Sequence, residues 1–98
     1  MYVILTSKPG QFRTEPTPGL RPVESFDYLF FGRRKARFVI AEVMSPDCRV
    51  TVTDETPPEV VNHVPIKFLE SFDSVERARA ALRELVREGD ADVALVAT

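Results

Sequence analysis

Two side chains carry chemistry of their own kind: the single cysteine, Cys48, and the single histidine, His63. Nucleophilic catalysis needs a nucleophile, a base and an orienting group converging in space. Cys48 follows Ser45-Pro46-Asp47, a turn sequence, and precedes Arg49, a cation able to lower a thiol's pKa. A lone cysteine at a strand edge is far more often a passive small side chain. His63 stands in Val61-Asn62-His63-Val64-Pro65 with no second histidine and no cysteine at ligand spacing. It cannot anchor a structural zinc alone, and it reads as a local polar contact. The acidic stretch Asp54-Glu55-Thr56-Pro57-Pro58-Glu59 lacks the alternating ligands and glycine of a calcium loop. Gly10 and Gly19 lie in a proline-rich segment with no helix directly after them, so they form no phosphate cradle. The sequence therefore singles out no catalytic residue, no metal ligand and no cofactor site.

Two basic features remain. Arg33, Arg34 and Lys35 follow Gly32, with Arg37 one step further along. Cations packed this closely at a protruding turn make a compact positive knob. Arg79, Arg83 and Arg87 recur every four residues on a helical pattern, beside Arg77, and Glu76, Glu84 and Glu88 neutralise much of their field. The helix stripe reads as a solvated face, and the knob as the better binding element. Aromatic residues next to the knob (Phe26, Tyr28, Phe30) have the general make-up of a nucleic-acid stacking platform. Their strict alternation assigns them to a core first.

The elements that must position these groups follow from periodicity. Residues 2–6 form a short apolar run, expected as a strand covered on both faces because it does not alternate. Pro9-Gly10 suits the centre of a type II turn. Residues 8–22 hold four prolines, two glycines and only two apolar residues, Phe12 and Leu20, which predicts a long mobile loop. Its Gln11, Phe12 and Arg13 are the residues placed to order against a partner. Residues 23–43 alternate aromatic and β-branched positions on either side of Gly32-Arg33-Arg34-Lys35, the pattern of a long β-hairpin turning at those four residues. Residues 49–53 continue as a third strand of an antiparallel meander, Val50 and Val52 inward. Residues 65–72 read as a short helical piece. A longer helix follows, capped by Asp73 or Ser74, with Val75, Ala78, Leu82, Leu85 and Val86 as its apolar stripe and Gly89 ending it. Residues 92–97 form a last strand, expected next to the first. The order predicts one α+β domain over residues 1–98: a two-layer, mostly antiparallel sheet with the C-terminal helix on one face. A single helix cannot cover both faces, so Leu29, Phe31, Val39 and Val43 are expected to be buried by self-association or a partner.

Composition bounds the function. The 98 residues, 44% hydrophobic and 29% charged, are enough for one small core and too apolar for a disordered chain. The net charge is −2, but residues 1–51 carry net +3 and residues 52–98 net −5. An acidic balance weighs against bulk electrostatic binding of nucleic acid. One cysteine permits no internal disulfide, which fits a reducing compartment. No apolar run approaches the ~18 residues of a membrane span. The apolar run after Met1 is also too short for a secretion signal. A cytoplasmic protein is expected. With no catalytic cluster, the reading is a non-catalytic accessory or adaptor protein docking on a larger, bacterial-type enzyme or electron-transfer complex. Its contact residues would be Arg33, Arg34, Lys35, Arg37, Gln11, Phe12 and Arg13. A nucleic-acid-binding module, and a small-molecule-binding domain or small enzyme, are the alternatives.

Overall fold

The alternating segment does form a hairpin, and it organises the rest of the molecule. The structure, a computed structural model, describes residues 1–87 and 89–98. Strands β3 (Leu20–Phe30) and β4 (Arg33–Val43) pair antiparallel along their length. They are joined by Phe31 and Gly32 alone, with φ of +51° and +74°. Two central residues at positive φ make the tight turn whose twist matches paired strands. The turn is thus shorter than the sequence predicts, and Arg33, Arg34 and Lys35 belong to the strand rather than to the tip.

Strand β1 (Tyr2–Ser7) adds to the other edge of β4, β7 (Ser71–Phe72) adds to β1, and β8 (Val93–Ala97) adds to β3. The five-stranded order is β7-β1-β4-β3-β8. The first strand is interior, as its unbroken apolar run predicts, but the last strand is an edge and does not touch it. A second sheet, β2-β5-β6, is built from Phe12–Glu15, Arg49–Asp54 and Val61–Pro65. The described pairings in both sheets are antiparallel.

This second sheet corrects several expectations at once. Residues 49–54 do not extend the hairpin as a meander. They leave it, pair with β2 and β6, and bury Val50 and Thr53, with Val52 half-buried against the same core. The 8–22 segment is not a structureless loop, because Phe12–Glu15 pairs with β5 and Leu20 opens β3. Residues 65–72 are not a helix. Only a 3₁₀ turn, Ile66–Phe68, forms before Leu69 returns to extended backbone and Ser71–Phe72 pairs with β1. A single turn after proline lacks the length to propagate as a helix.

The layers follow from which face each residue takes. Ala36, Phe38 and Ile40 of β4 meet Ala78, Leu82 and Val86 of helix α1 (Val75–Val86), with Tyr2, Ile4, Phe26, Tyr28 and Leu95 around them. Val3, Leu5 and Ala41 on the opposite face meet Val50 and Ile66, with Val39, Val43, Val52 and Val64 packed against them. The fold is an α+β arrangement of three layers, helix, large sheet and small sheet, rather than two. Full burial of a side chain such as Leu82 contributes about 2 kcal/mol. The face holding Val39 and Val43 is therefore covered from within the chain. That removes the reason for assigning those residues to a partner, while Phe31 stays 66% exposed.

Helix α1 starts at Ser74, whose Oγ accepts from the Arg77 backbone N–H at 3.1 Å. With Ser74 rather than Asp73 as the cap, the third position is Arg77 and no capping box forms. Leu85 falls outside the buried stripe and is 68% exposed. Arg87 takes the left-handed position that ends the helix, before Gly89. Among the described residues, no helix is long and apolar enough to cross a membrane.

Candidate functional site

The register of β1 on β4 decides where the sequence-predicted binding residues meet. Ser7 lies opposite Arg37, so the chain leaving β1 runs alongside the residues that precede Arg37. It turns there through Pro9 and Gly10, with Gln11 N–H donating to Lys8 C=O at 3.0 Å and Gly10 at φ +78°. That is the expected type II turn. It returns as β2, where Thr14 N–H donates to Ser7 Oγ at 2.9 Å. Two segments more than 20 residues apart in sequence thus share one end of the molecule.

A β-bulge sorts the cations of that end onto two faces. Leu29 pairs with Arg34, and Tyr28 with Ala36, leaving Lys35 as the extra residue. A bulge shifts the alternation by one and re-aims side chains. Arg34 therefore joins Arg37 and Arg13 around a cleft of about 280 Å³, floored by Ser7, Pro9 and Gly10 and bounded by Glu55. Lys35 joins Lys8 and Gln11 at the rim of a second cleft of about 510 Å³ on the helix side. Its walls are Tyr28, Phe38, Leu85 and Val86, and among the described residues no acidic side chain lines it.

The electrostatics separate these cations further. Arg37 Nε lies 2.9 Å from Asp27 Oδ1, and its guanidinium is held above its ordinary pKa by that hydrogen bond. Arg13 Nε lies 2.7 Å from Glu15 Oε1, with Glu55 at 3.8 Å, and is raised in the same way. Among the described residues, no ion pair involves Lys8, Arg33, Arg34 or Lys35. These four carry the uncompensated positive charge of this end. Of the other expected contact residues, Gln11 is exposed at the turn, but Phe12 is half-buried in β2. The sequence missed Lys8; Phe31, expected to need cover from another chain, is exposed, and its ring meets Phe30 edge-on at 4.6 Å.

The helix arginines behave differently from the expectation. Arg79 reaches across to Glu24 of β3 rather than pairing along the helix. Arg77 sits in a cleft with Glu70, Asp73 and Glu84. Glu88, expected to screen this stripe, lies outside the described residues.

Cys48 and His63 each make local contacts. The His63 ring Nδ1 lies 3.2 Å from Thr51 Oγ1 on the neighbouring strand. Cys48 packs at the margin of the core, against the position of Gly19. Among the described residues, no three His, Cys, Asp or Glu side chains converge as metal ligands. No protein-family model, curated protein or solved structure matches the chain.

Proposed function

We propose that the chain is a small non-catalytic accessory protein that docks on an acidic surface of a larger enzyme or electron-transfer complex. The observation that supports this reading is the convergence of Lys8, Arg33, Arg34 and Lys35 at one end, with no ion pair to an acidic side chain among the described residues. Charges of this kind steer encounter and set register, and contribute less to affinity than a buried anchor does. The bulge spreads them over both faces of the hairpin, which suits a partner that straddles the sheet end. Arg13 and Arg37, each already holding a carboxylate, add geometry more than net charge. The experiment is purification of the native protein at low salt, identification of a stoichiometric companion, and repetition with Arg33, Arg34 and Lys35 changed to Ser. The reading requires the companion to be lost from the variant and from wild type at high salt.

A second reading rests on Phe31. An exposed aromatic at a hairpin tip, beside Arg33 and Arg34, offers a base-stacking surface with adjacent cations. Retention of the pure chain on single-stranded nucleic acid, lost on Phe31→Ser and by salt, would favour this reading over protein docking.

A further inference from the structure

Helix α1 is too short to cover the sheet it packs on. Its 12 residues span about 18 Å, against about 36 Å for the 11 residues of β4. Ala78, Leu82 and Val86 of the helix are buried on Ala36, Phe38 and Ile40, and the helix ends there. Leu85, in its last turn, stays 68% exposed. The cleft of about 510 Å³ opens at this place. It lies between Leu85 and Val86 of the helix end and Lys8 and Gln11 of the turn after β1, over Tyr28 and Phe38.

The two halves of the cleft differ in chemistry. Tyr28, Phe38, Leu85 and Val86 make one half apolar. Lys8 and Lys35 bring two ammonium groups to the other, beside the Gln11 amide. Local backbone geometry puts both lysines there. Lys35 is the extra residue of the β3–β4 bulge. Lys8 is fixed in the turn, its N–H donating to Phe12 C=O at 2.9 Å and its C=O accepting from Gln11 and Phe12. Among the described residues, neither lysine makes an ion pair and no acidic side chain lines the cleft. Apolar walls with a few convergent polar groups, at this volume, are the usual make-up of a small-molecule site.

We propose that this cleft binds a small amphipathic carboxylate. Its carboxyl group sits between Lys8 and Lys35, and its aliphatic or aromatic body lies on Tyr28, Phe38 and Leu85. A monoanion suits the place better than a phosphate, because the negative end of the α1 dipole borders the cleft. A compact molecule suits it better than a peptide strand, because β1, β4 and β3 are interior strands and offer no edge to pair with. The inference goes beyond the docking reading and does not need it, since Arg33 and Arg34 do not line this cleft.

The test is titration of the purified chain with octanoate and with cinnamate, followed by calorimetry and by backbone amide chemical shifts. The expected result is saturable binding, with shifts concentrated at Thr6, Lys8, Tyr28, Lys35 and Leu85. Octanamide and cinnamamide keep the body and lose the charge, whereas acetate keeps the charge and loses the body. Each is expected to bind at least about tenfold more weakly than the parent acid. Lys35→Met keeps the apolar stem and removes the charge, and should weaken binding of the acids by about the same factor while leaving the amides unaffected. Arg33→Ser, outside the cleft, should leave the affinity unchanged. The proposal is overturned if neither acid binds at millimolar concentration, if the amides bind as tightly as the acids, or if the shifts fall elsewhere. Tighter binding of octyl phosphate than of octanoate overturns the assignment of a carboxylate. The wild-type titrations decide the matter even where a variant fails to fold.

Discussion

Arg79 of helix α1 grips Glu24 of strand β3 across 55 residues of sequence, with Nε 2.7 Å from Oε2 and Nη2 2.5 Å from Oε1. Two parallel contacts fix direction as well as distance, which a lysine cannot reproduce. The pair ties the helix to the hairpin beside the point where Val23 interrupts the β3–β4 register. The hydrogen bond from Arg79 holds the Glu24 carboxyl below its ordinary value of 4.5, against the opposing effect of desolvation.

A depressed carboxyl pKa stabilises the fold above the unfolded value and loses that contribution as pH falls through the folded one. Glu24→Gln is therefore expected to lower stability by about 1 kcal/mol near neutrality, the upper range for a part-exposed pair. The difference from wild type should shrink as pH falls below 4.5 and disappear below the lowered folded pKa, where both chains are uncharged at this position. Thermal unfolding across that range checks it. A gap that stays constant with pH would mean that Glu24 acts through packing rather than charge.

Phe31 should respond in the opposite sense. It sits at φ +51° in the first position of the hairpin turn, where Asn or Gly is favoured, and its ring is 66% exposed. A bulky residue at positive φ costs about 1 kcal/mol. Phe31→Asn is expected to raise the melting temperature while weakening whatever binds the tip. A lowered melting temperature would show that the edge-on contact with Phe30 outweighs the strain.

What the sequence made legible was local. Alternation located the hairpin, Pro9-Gly10 located a type II turn, and the helical stripe located α1. What escaped was relational. Residues 12–15 carry two charges and no β-branched pair beyond Thr14, so nothing in them announces a strand; β5 supplies the pairing that makes them one. The same event covers Val39 and Val43, which periodicity alone leaves without a partner. Of the candidate site, the residue types were readable but their sides were not. The bulge at Lys35 sends Arg34 toward Arg37, and no residue in that run marks a bulge.

Gly19 is the position where the backbone leaves least room. It has φ +103°, and a Cβ there would lie 2.9 Å from Cys48 Cβ and 3.2 Å from Ser45 Cβ. Its C=O also accepts from Met44 N–H at 2.7 Å and Ser45 N–H at 3.2 Å, joining the start of β3 to the turn before β5. Gly19→Ala is expected to destabilise by roughly 2–3 kcal/mol, combining the backbone penalty with the displacement of Cys48. Urea unfolding measures it. Gly10→Ala, with a similar φ but nothing within 4 Å, isolates the backbone share and should cost about 1 kcal/mol.

The basic end gives the last test. Arg33, Arg34 and Lys35 are exposed and make no ion pair among the described residues. Changing all three to Ser should shift stability by less than ~0.5 kcal/mol each. It should weaken partner binding and flatten its dependence on salt, because fewer screened charges then act on the encounter. Arg37→Ser is a different experiment. It leaves Asp27 without its cation, so binding should weaken and the hairpin should lose some stability as well. The comparison on the helix is Arg77→Ser, since Arg77 is exposed but shares its cleft with Glu70, Asp73 and Glu84. Titration of each variant against the isolated partner at several salt concentrations separates the three cases. Lost binding in Arg77→Ser, with binding retained in the triple variant, would move the interface from the hairpin to the helix.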